Sequence, residues 1–190
     1  MGLRPTAFAL ATLPALSALV ALSTPVANSK SNTDGKTGAG LLFLNDEFAG
    51  GDPHALILKR AKESNHGKTW SLPGGNYDPE LDRGLYETAL REAREELGSV
   101  PDISSVRGSL LVRWGEDDDN EFTVFLVETS ANKGLWQPEL DVENTDSKWI
   151  SLKDLDRDVK DGNIELHPML QKLTGYSALD ILGNLKFDVA

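Results

Sequence analysis

The segment that most constrains this chain is residues 85–97, LYETALREAREEL, closed by Gly98. Tyr86, Ala89, Leu90, Ala93 and Leu97 recur at helical spacing and predict an amphipathic helix with one buried stripe. Gly98 supplies the stop expected just past the last turn, and Asp82 is a candidate cap before the first. Beside the stripe, Glu92, Glu95 and Glu96 stand at i, i+3 and i+4 and share an arc of about 100°. Three carboxylates so placed repel one another by about 0.2–0.5 kcal/mol per pair. A divalent cation turns that repulsion into a chelate, and all-oxygen ligands favour Mg²⁺ or Mn²⁺. Arg91 lies one turn after Glu87 and one turn before Glu95, spaced to pair with either. Taken alone, the acidic cluster also reads as a solvated helix face.

Short strands and turns surround the helix. Residues 41–44 (LLFL) and 55–58 (ALIL) read as paired strands, and residues 68–72 lead into a turn at Pro73-Gly74-Gly75. Bare backbone at Gly74 and Gly75 allows close approach to a phosphate, or a carbonyl offered to a metal. Two further strands, 108–114 and 121–128, flank an acidic turn, and 148–152 is another strand candidate. Short helical stretches follow it and recur at 169–173. Hairpins interspersed with helices, without strict βαβ alternation, give an α+β fold.

Composition narrows the function. Thirty acidic against 19 basic residues leave a net charge of −11. That balance opposes broad binding to duplex nucleic acid, which needs clustered Lys and Arg. Action on phosphates by so acidic a chain calls for a metal to bridge like charges. The absence of Cys excludes disulfides, thiolate nucleophiles, Cys-ligated zinc and iron–sulfur clusters. His54, His66 and His167 are scattered along the sequence and suggest no histidine metal site.

The string from Leu72 to Gly98 resembles the Nudix box. That family's pattern is Gly, five residues, Glu, seven residues, then Arg-Glu-apolar-x-Glu-Glu-x-Gly-apolar. Arg91-Glu92-Ala93-Arg94-Glu95-Glu96-Leu97-Gly98 matches the second half position by position. A long motif in its strand–turn–helix setting is much stronger evidence than a short one. The first half departs from the pattern: 15 residues separate Gly75 from Arg91, two more than usual. Glu80 and Asp82 are the candidates for the isolated family Glu, and Ser99 takes the last apolar place. The likeness extends to the basic-ended strand around Lys59-Arg60 and to the acidic loop at Glu143 before Trp149. It covers roughly residues 41–173.

The resemblance implies an α/β/α sandwich around a mixed central sheet, in a domain spanning 41–175 with a C-terminal extension at 176–190. It also implies a Mg²⁺-dependent hydrolase, with Mn²⁺ as a substitute, that cleaves the diphosphate linkage of a nucleoside diphosphate derivative. A nucleoside triphosphate or an oxidised nucleotide is favoured. On this reading Glu92, Glu95 and Glu96 bind the metal with help from the Gly75 carbonyl. Glu92, Glu95 and Glu143 are the catalytic carboxylates, one of them serving as general base. Glu139, Asp141 and Asp146 compete with Glu143 for that place on the loop. Arg60, Gly74, Gly75 and Trp114 are the candidate substrate contacts. Arg60 also reads as a solvated strand end, Trp114 as core, and residues 116–119 as a charged turn or a further cation site. The alternative is a non-catalytic Nudix-fold sensor that holds a nucleotide; retention of all three carboxylates favours the enzyme.

The N-terminus reads separately. Residues 7–22 are almost wholly apolar, follow Arg4 and are interrupted by Pro14. They fall short of the about 20 residues a membrane span needs. Residues 1–27 read as a secretory signal or organelle leader, leaving no stable span after cleavage, with an uncleaved anchor as the remaining alternative; 28–40 reads as a flexible linker.

Overall fold

The structure, a computed structural model, describes residues 36–45, 53–114, 119–129 and 136–175. The central strands are buried on both faces, with eight consecutive buried residues in the first of them, so helices must cover the sheet on each side and the fold has three layers. Seven strands form one mixed sheet. Strand β1 (Thr37–Asn45) pairs in parallel with β6 (Asn120–Thr129), and β6 pairs antiparallel with β5 (Ile103–Trp114). On its other side, among the described residues, β1 meets β2 (His54–Arg60) at Leu44↔Ala55 and Asn45↔His54. The two then splay apart. Into the wedge fit β4 (Gly74–Asn76) along β1 and β3 (Trp70–Ser71) along β2. Strand β7 (Asn144–Ser151) closes the far side of β2.

Period-two alternation sends each strand's side chains to both faces of the sheet. On one face Ala39, Leu41, Phe43, Leu56, Leu58 and Val127 pack under Ala89, Ala93 and Leu97 of α1 (Leu85–Leu97). On the other, Leu42, Leu44, Ile57, Val124 and Leu126 pack against α2 (Leu152–Lys160) and α3 (Pro168–Gly175) through Leu155, Leu170 and Leu173. The α/β/α sandwich expected from the box resemblance is the observed architecture.

Three local expectations need correction. Strand β1 begins at Thr37, inside the stretch assigned to a linker, because residues 37–40 pair with β6 and residues 38–40 also with β4. Long-range pairing of this kind leaves no trace in composition. The Pro73-Gly74-Gly75 turn is in part a strand, since Gly74–Asn76 pairs with Gly38–Gly40. Gly84, not Asp82, is the N-cap of α1, without a side-chain cap; Glu87 instead accepts from the Arg83 N–H at 2.9 Å. The leader (1–27), residues 28–35 of the linker, the C-terminal extension (176–190) and residues 116–118 of the acidic turn lie outside the described residues. Among those described, no helix is long and apolar enough to cross a membrane.

Candidate active site

Helix α1 lies with its carboxylate face against β4, and glycine makes that approach possible. A Cβ on Gly75 would stand 2.4 Å from the Glu92 carboxylate. One on Gly74 would stand 2.5 Å from the Ala39 carbonyl oxygen, and Gly74 has φ +153°, which other residues rarely adopt. The Gly74 N–H donates to Glu96 Oε2 at 2.9 Å. The Gly-Gly pair therefore fits the sheet and the helix at once.

Asp82, rather than Glu80, anchors the start of this arrangement. It accepts from Arg91 Nε and Nη2 at 2.9 Å each, from Thr88 Oγ1 at 3.0 Å and from the Asp78 N–H at 3.1 Å. Its side chain is 2% exposed. The Arg91 hydrogen bonds hold the Asp82 carboxyl well below the usual carboxylate range, and Asp82 in turn raises the Arg91 guanidinium. Glu80 is exposed, and its N–H donates to Asp78 Oδ1. Arg91 donates further to Glu92 Oε1 at 2.8 Å, to Glu95 Oε2 at 3.2 Å and to the Asn76 carbonyl. It pairs with Glu95 but not with Glu87, because its fork is turned along the helix toward β4.

The three carboxylates differ sharply in environment. Glu95 is exposed. Glu92 is largely covered, and desolvation raises its carboxyl even though Arg91 pulls it back. Glu96 is buried, and desolvation pushes it up to about 8 against the Gly74 N–H, Asn144 and the Arg60 charge. Among the described residues no three acidic or histidine side chains yet converge on one point. Arg91 draws Glu92 and Glu95 aside while Glu96 is held at Gly74. The donor set nonetheless suits a hard divalent cation: oxygen atoms only, a bare Gly75 beside Glu92, and a buried carboxyl short of positive charge.

The model of the NUDIX domain family matches residues 36–173. The chain belongs to the Nudix family. It is 31% identical over 139 residues to the Mycobacterium tuberculosis protein named "Putative 8-oxo-dGTP diphosphatase 3", covering 70% of this chain and 58% of that one. The chain thus spans a little over half the length of the curated relative. Its fold is similar to a Nudix hydrolase from M. smegmatis, RenU (TM-score 0.62, 21% identity, covering 79% of this chain and 87% of that one). It is likewise similar to the MutT protein from Methanosarcina mazei Go1 (TM-score 0.56, 20% identity, 80% and 98% covered).

Other predicted residues of this Nudix domain sit at different distances from the box helix. Arg60 reaches Glu143 Oε2 through Nη2 at 3.4 Å and the Asn65 carbonyl through Nε at 2.8 Å. It is a strand end paired with an exposed carboxylate. The Glu143 carbonyl accepts from the Ala61 N–H at 2.7 Å and from Ser64 Oγ at 3.1 Å, while its carboxylate stays exposed. The Glu139 and Asp141 N–H groups donate to the Leu97 and Glu96 carbonyls, so the acidic loop closes the C-terminal end of α1. Trp114 ends β5, opposite Asn120 and separated from β1 by β6; its side chain lies outside the described part. Two of the scattered histidines, His66 and His167, meet with ring centroids 4.6 Å apart. Sequence reading missed Thr88, whose partner Asp82 lies 6 residues back across the turn into the helix, and Asn144, which bonds Asp141 beside a strand irregularity.

Proposed function

We propose that this Nudix domain hydrolyses the diphosphate linkage of a nucleoside diphosphate derivative, with a nucleoside triphosphate or oxidised nucleotide favoured. The observation that carries the reading is the face of α1 on which Glu92 and Glu96 stand against the bare backbone of Gly75 and Gly74, with Glu95 exposed beside them. The name of the M. tuberculosis relative supports an oxidised purine nucleotide as the first substrate to try. Glu92, Glu95 and Glu96, with the Gly75 carbonyl, hold a divalent cation, Mg²⁺ or Mn²⁺. Bound there, the cation neutralises the diphosphate and offsets charge that develops in the transition state.

The chain's own residues do the rest. Asp82 and Thr88 keep Arg91, and through it the helix, in register with β4. Burial at Gly74 fixes Glu96 while exposed Glu95 and Glu143 face water. One of those carboxylates orients and deprotonates the attacking water. Arg60, between Glu143 and Glu96, tempers the negative charge of the site.

A substrate panel with the full chain tests the reading. It holds 8-oxo-dGTP, normal dNTPs, ADP-ribose, nucleotide sugars and dinucleoside polyphosphates, with and without Mg²⁺, and Glu96→Gln as control. Metal-dependent cleavage lost in the variant is the expected result. Nucleotide binding without turnover across the panel would replace the enzyme with the sensor reading. Glu143→Gln and Glu95→Gln then separate the bases: whichever removes the acidic limb of the kcat–pH profile carries the role.

A further inference from the structure

Strands β2 and β7 pair in one register from His54↔Ser151 to Lys59↔Asp146 and then slip, so that Arg60 faces Asn144. Thr145 is the extra residue of this bulge. One inserted residue reverses which face a strand end presents, and Asn144 is buried while Thr145 and Asp146 are exposed. The loop before the bulge carries three acids that compete for one place beside the box helix: Glu139, Asp141 and Glu143. Hydrogen bonds give the last two different tasks.

Every hydrogen-bonding group of Glu143 is engaged. Its N–H donates to Asp141 Oδ1 at 3.1 Å, its carbonyl accepts from the Ala61 N–H and Ser64 Oγ, and its carboxylate meets Arg60 Nη2. Asp141 is also bonded to the box helix, since its own N–H donates to the Glu96 carbonyl at 3.2 Å. Its Oδ1 accepts a second bond, from Nδ2 of the buried Asn144 at 3.0 Å. By accepting from the N–H two residues on, Asp141 closes the turn in which an Asp side chain stands in for backbone. Two hydrogen bonds through this one residue therefore run from α1 to the backbone of Glu143. The Glu143 carboxylate itself stays exposed.

We propose that Asp141 is a positioning residue whose carboxylate braces the Glu143 backbone against the C-terminal end of α1 and so sets where the Glu143 carboxylate stands relative to the box helix. The inference rests on the reading of Glu143 as a reacting carboxylate given above. Asp141, with Oδ1 committed to two donors, is the brace, and Glu143 is the group presented to water. Precise placement matters because displacing a reacting group by about 1 Å can cost about a hundredfold in rate. The brace needs an acceptor oxygen at this position and no negative charge. Asn supplies that oxygen and makes the same turn, whereas Ala supplies none.

The test uses the full chain with Mg²⁺ and 8-oxo-dGTP, or the panel nucleotide that wild type cleaves fastest. Asp141→Ala is expected to lower kcat about tenfold to a hundredfold with KM little changed, and Asp141→Asn to restore it to near the wild-type value. Amide exchange followed by NMR should show the Glu143 N–H exchanging faster in Asp141→Ala and at the wild-type rate in Asp141→Asn. Asp141→Ala combined with Glu143→Gln should be no slower than Glu143→Gln alone, because Asp141 acts through Glu143. Wild-type kcat in Asp141→Ala alongside a loss in Glu143→Gln would overturn the positioning role and leave Glu143 in the reaction. Equal losses in Asp141→Ala and Asp141→Asn would also overturn it, since the charge and not the turn would then be needed. Unchanged kcat in Glu143→Gln, or no turnover of any panel nucleotide by wild type, would overturn the reading of Glu143 and the positioning role with it. Asp141→Ser, whose hydroxyl makes the turn more weakly, carries the comparison if the alanine variant does not fold, with kcat expected below that of Asp141→Asn.

Discussion

The N-terminal half of the site and its C-terminal half are built by different means. From Gly74 to Gly98 every group that matters lies on one short strand, one connecting turn and one regular helix. Along the helix, side-chain direction follows from spacing alone, since helix geometry repeats every 3.6 residues. From Arg60 and residues 139–144 come groups on a strand end, a loop and a bulge. A single inserted residue there decides which face a side chain takes. The contrast teaches that a catalytic surface is readable where backbone periodicity holds and hidden where the backbone departs from it.

The hardest test of this contrast is Glu96→Gln, which should lower kcat about a hundredfold or more by removing a buried ligand. The same change should alter the pH response of the metal-free protein. Burial lifts Glu96 from 4.5 to about 8, so the folded state keeps its proton where the unfolded chain has lost it. The stabilising contribution is full below pH 4.5 and disappears as pH rises toward 8. Melting curves of metal-free wild type should therefore fall across that window relative to Glu96→Gln. Parallel curves would show that Glu96 is not the buried acid described.

Next come the two glycines, whose substitutions should separate fold from site. Gly75→Ala is expected to displace Glu92 and lower kcat/KM about a hundredfold, as misplacement of a reacting group does, with little change in melting temperature. Gly74→Ala should instead destabilise the domain by about 1–3 kcal/mol through backbone strain, and further through its clash with Ala39. Equal loss of stability in both would merge what the structure keeps apart.

Asp82→Asn is expected to lower kcat about tenfold and to reduce the melting temperature, because the Arg91 fork loses its anionic partner. Glu80→Gln should change neither. A reversal would return the isolated box carboxylate to Glu80. The smallest effect belongs to Arg60→Gln, where an ion pair with an exposed Glu143 contributes under about 1 kcal/mol. A loss well beyond that in urea unfolding would show that the β2–β7 end is held by this pair rather than by the ladder.

Much of the fold was legible in advance. The apolar runs at 41–44 and 55–58 are β1 and β2, residues 121–128 are most of β6, and 169–173 fall within α3. The three carboxylates lie on the predicted helix, Glu95 exposed, Glu92 half-buried and Glu96 buried. Strand β4 and the first residues of β1 were not legible, because Gly-rich sequence has no β signature until a partner strand lies alongside it. Asp82 was visible only as one of two acids, since the lengthened turn leaves its register to the path of the chain.

The sequence by itself determined the box helix, its stop at Gly98, the acidic face and membership of the Nudix family. These are local facts, set by side-chain identity repeated at a fixed helical period. Tertiary structure alone decided that Asp82 rather than Glu80 grips Arg91, that Arg60 turns to Glu143, and that Asn144 meets Asp141. Each of these depends on the path of a turn, loop or strand end, where no fixed period sets side-chain direction. The bulge at Thr145 shows the reason most plainly: one extra residue inverts the facing of a strand end, and nothing in the neighbouring side chains marks where it falls.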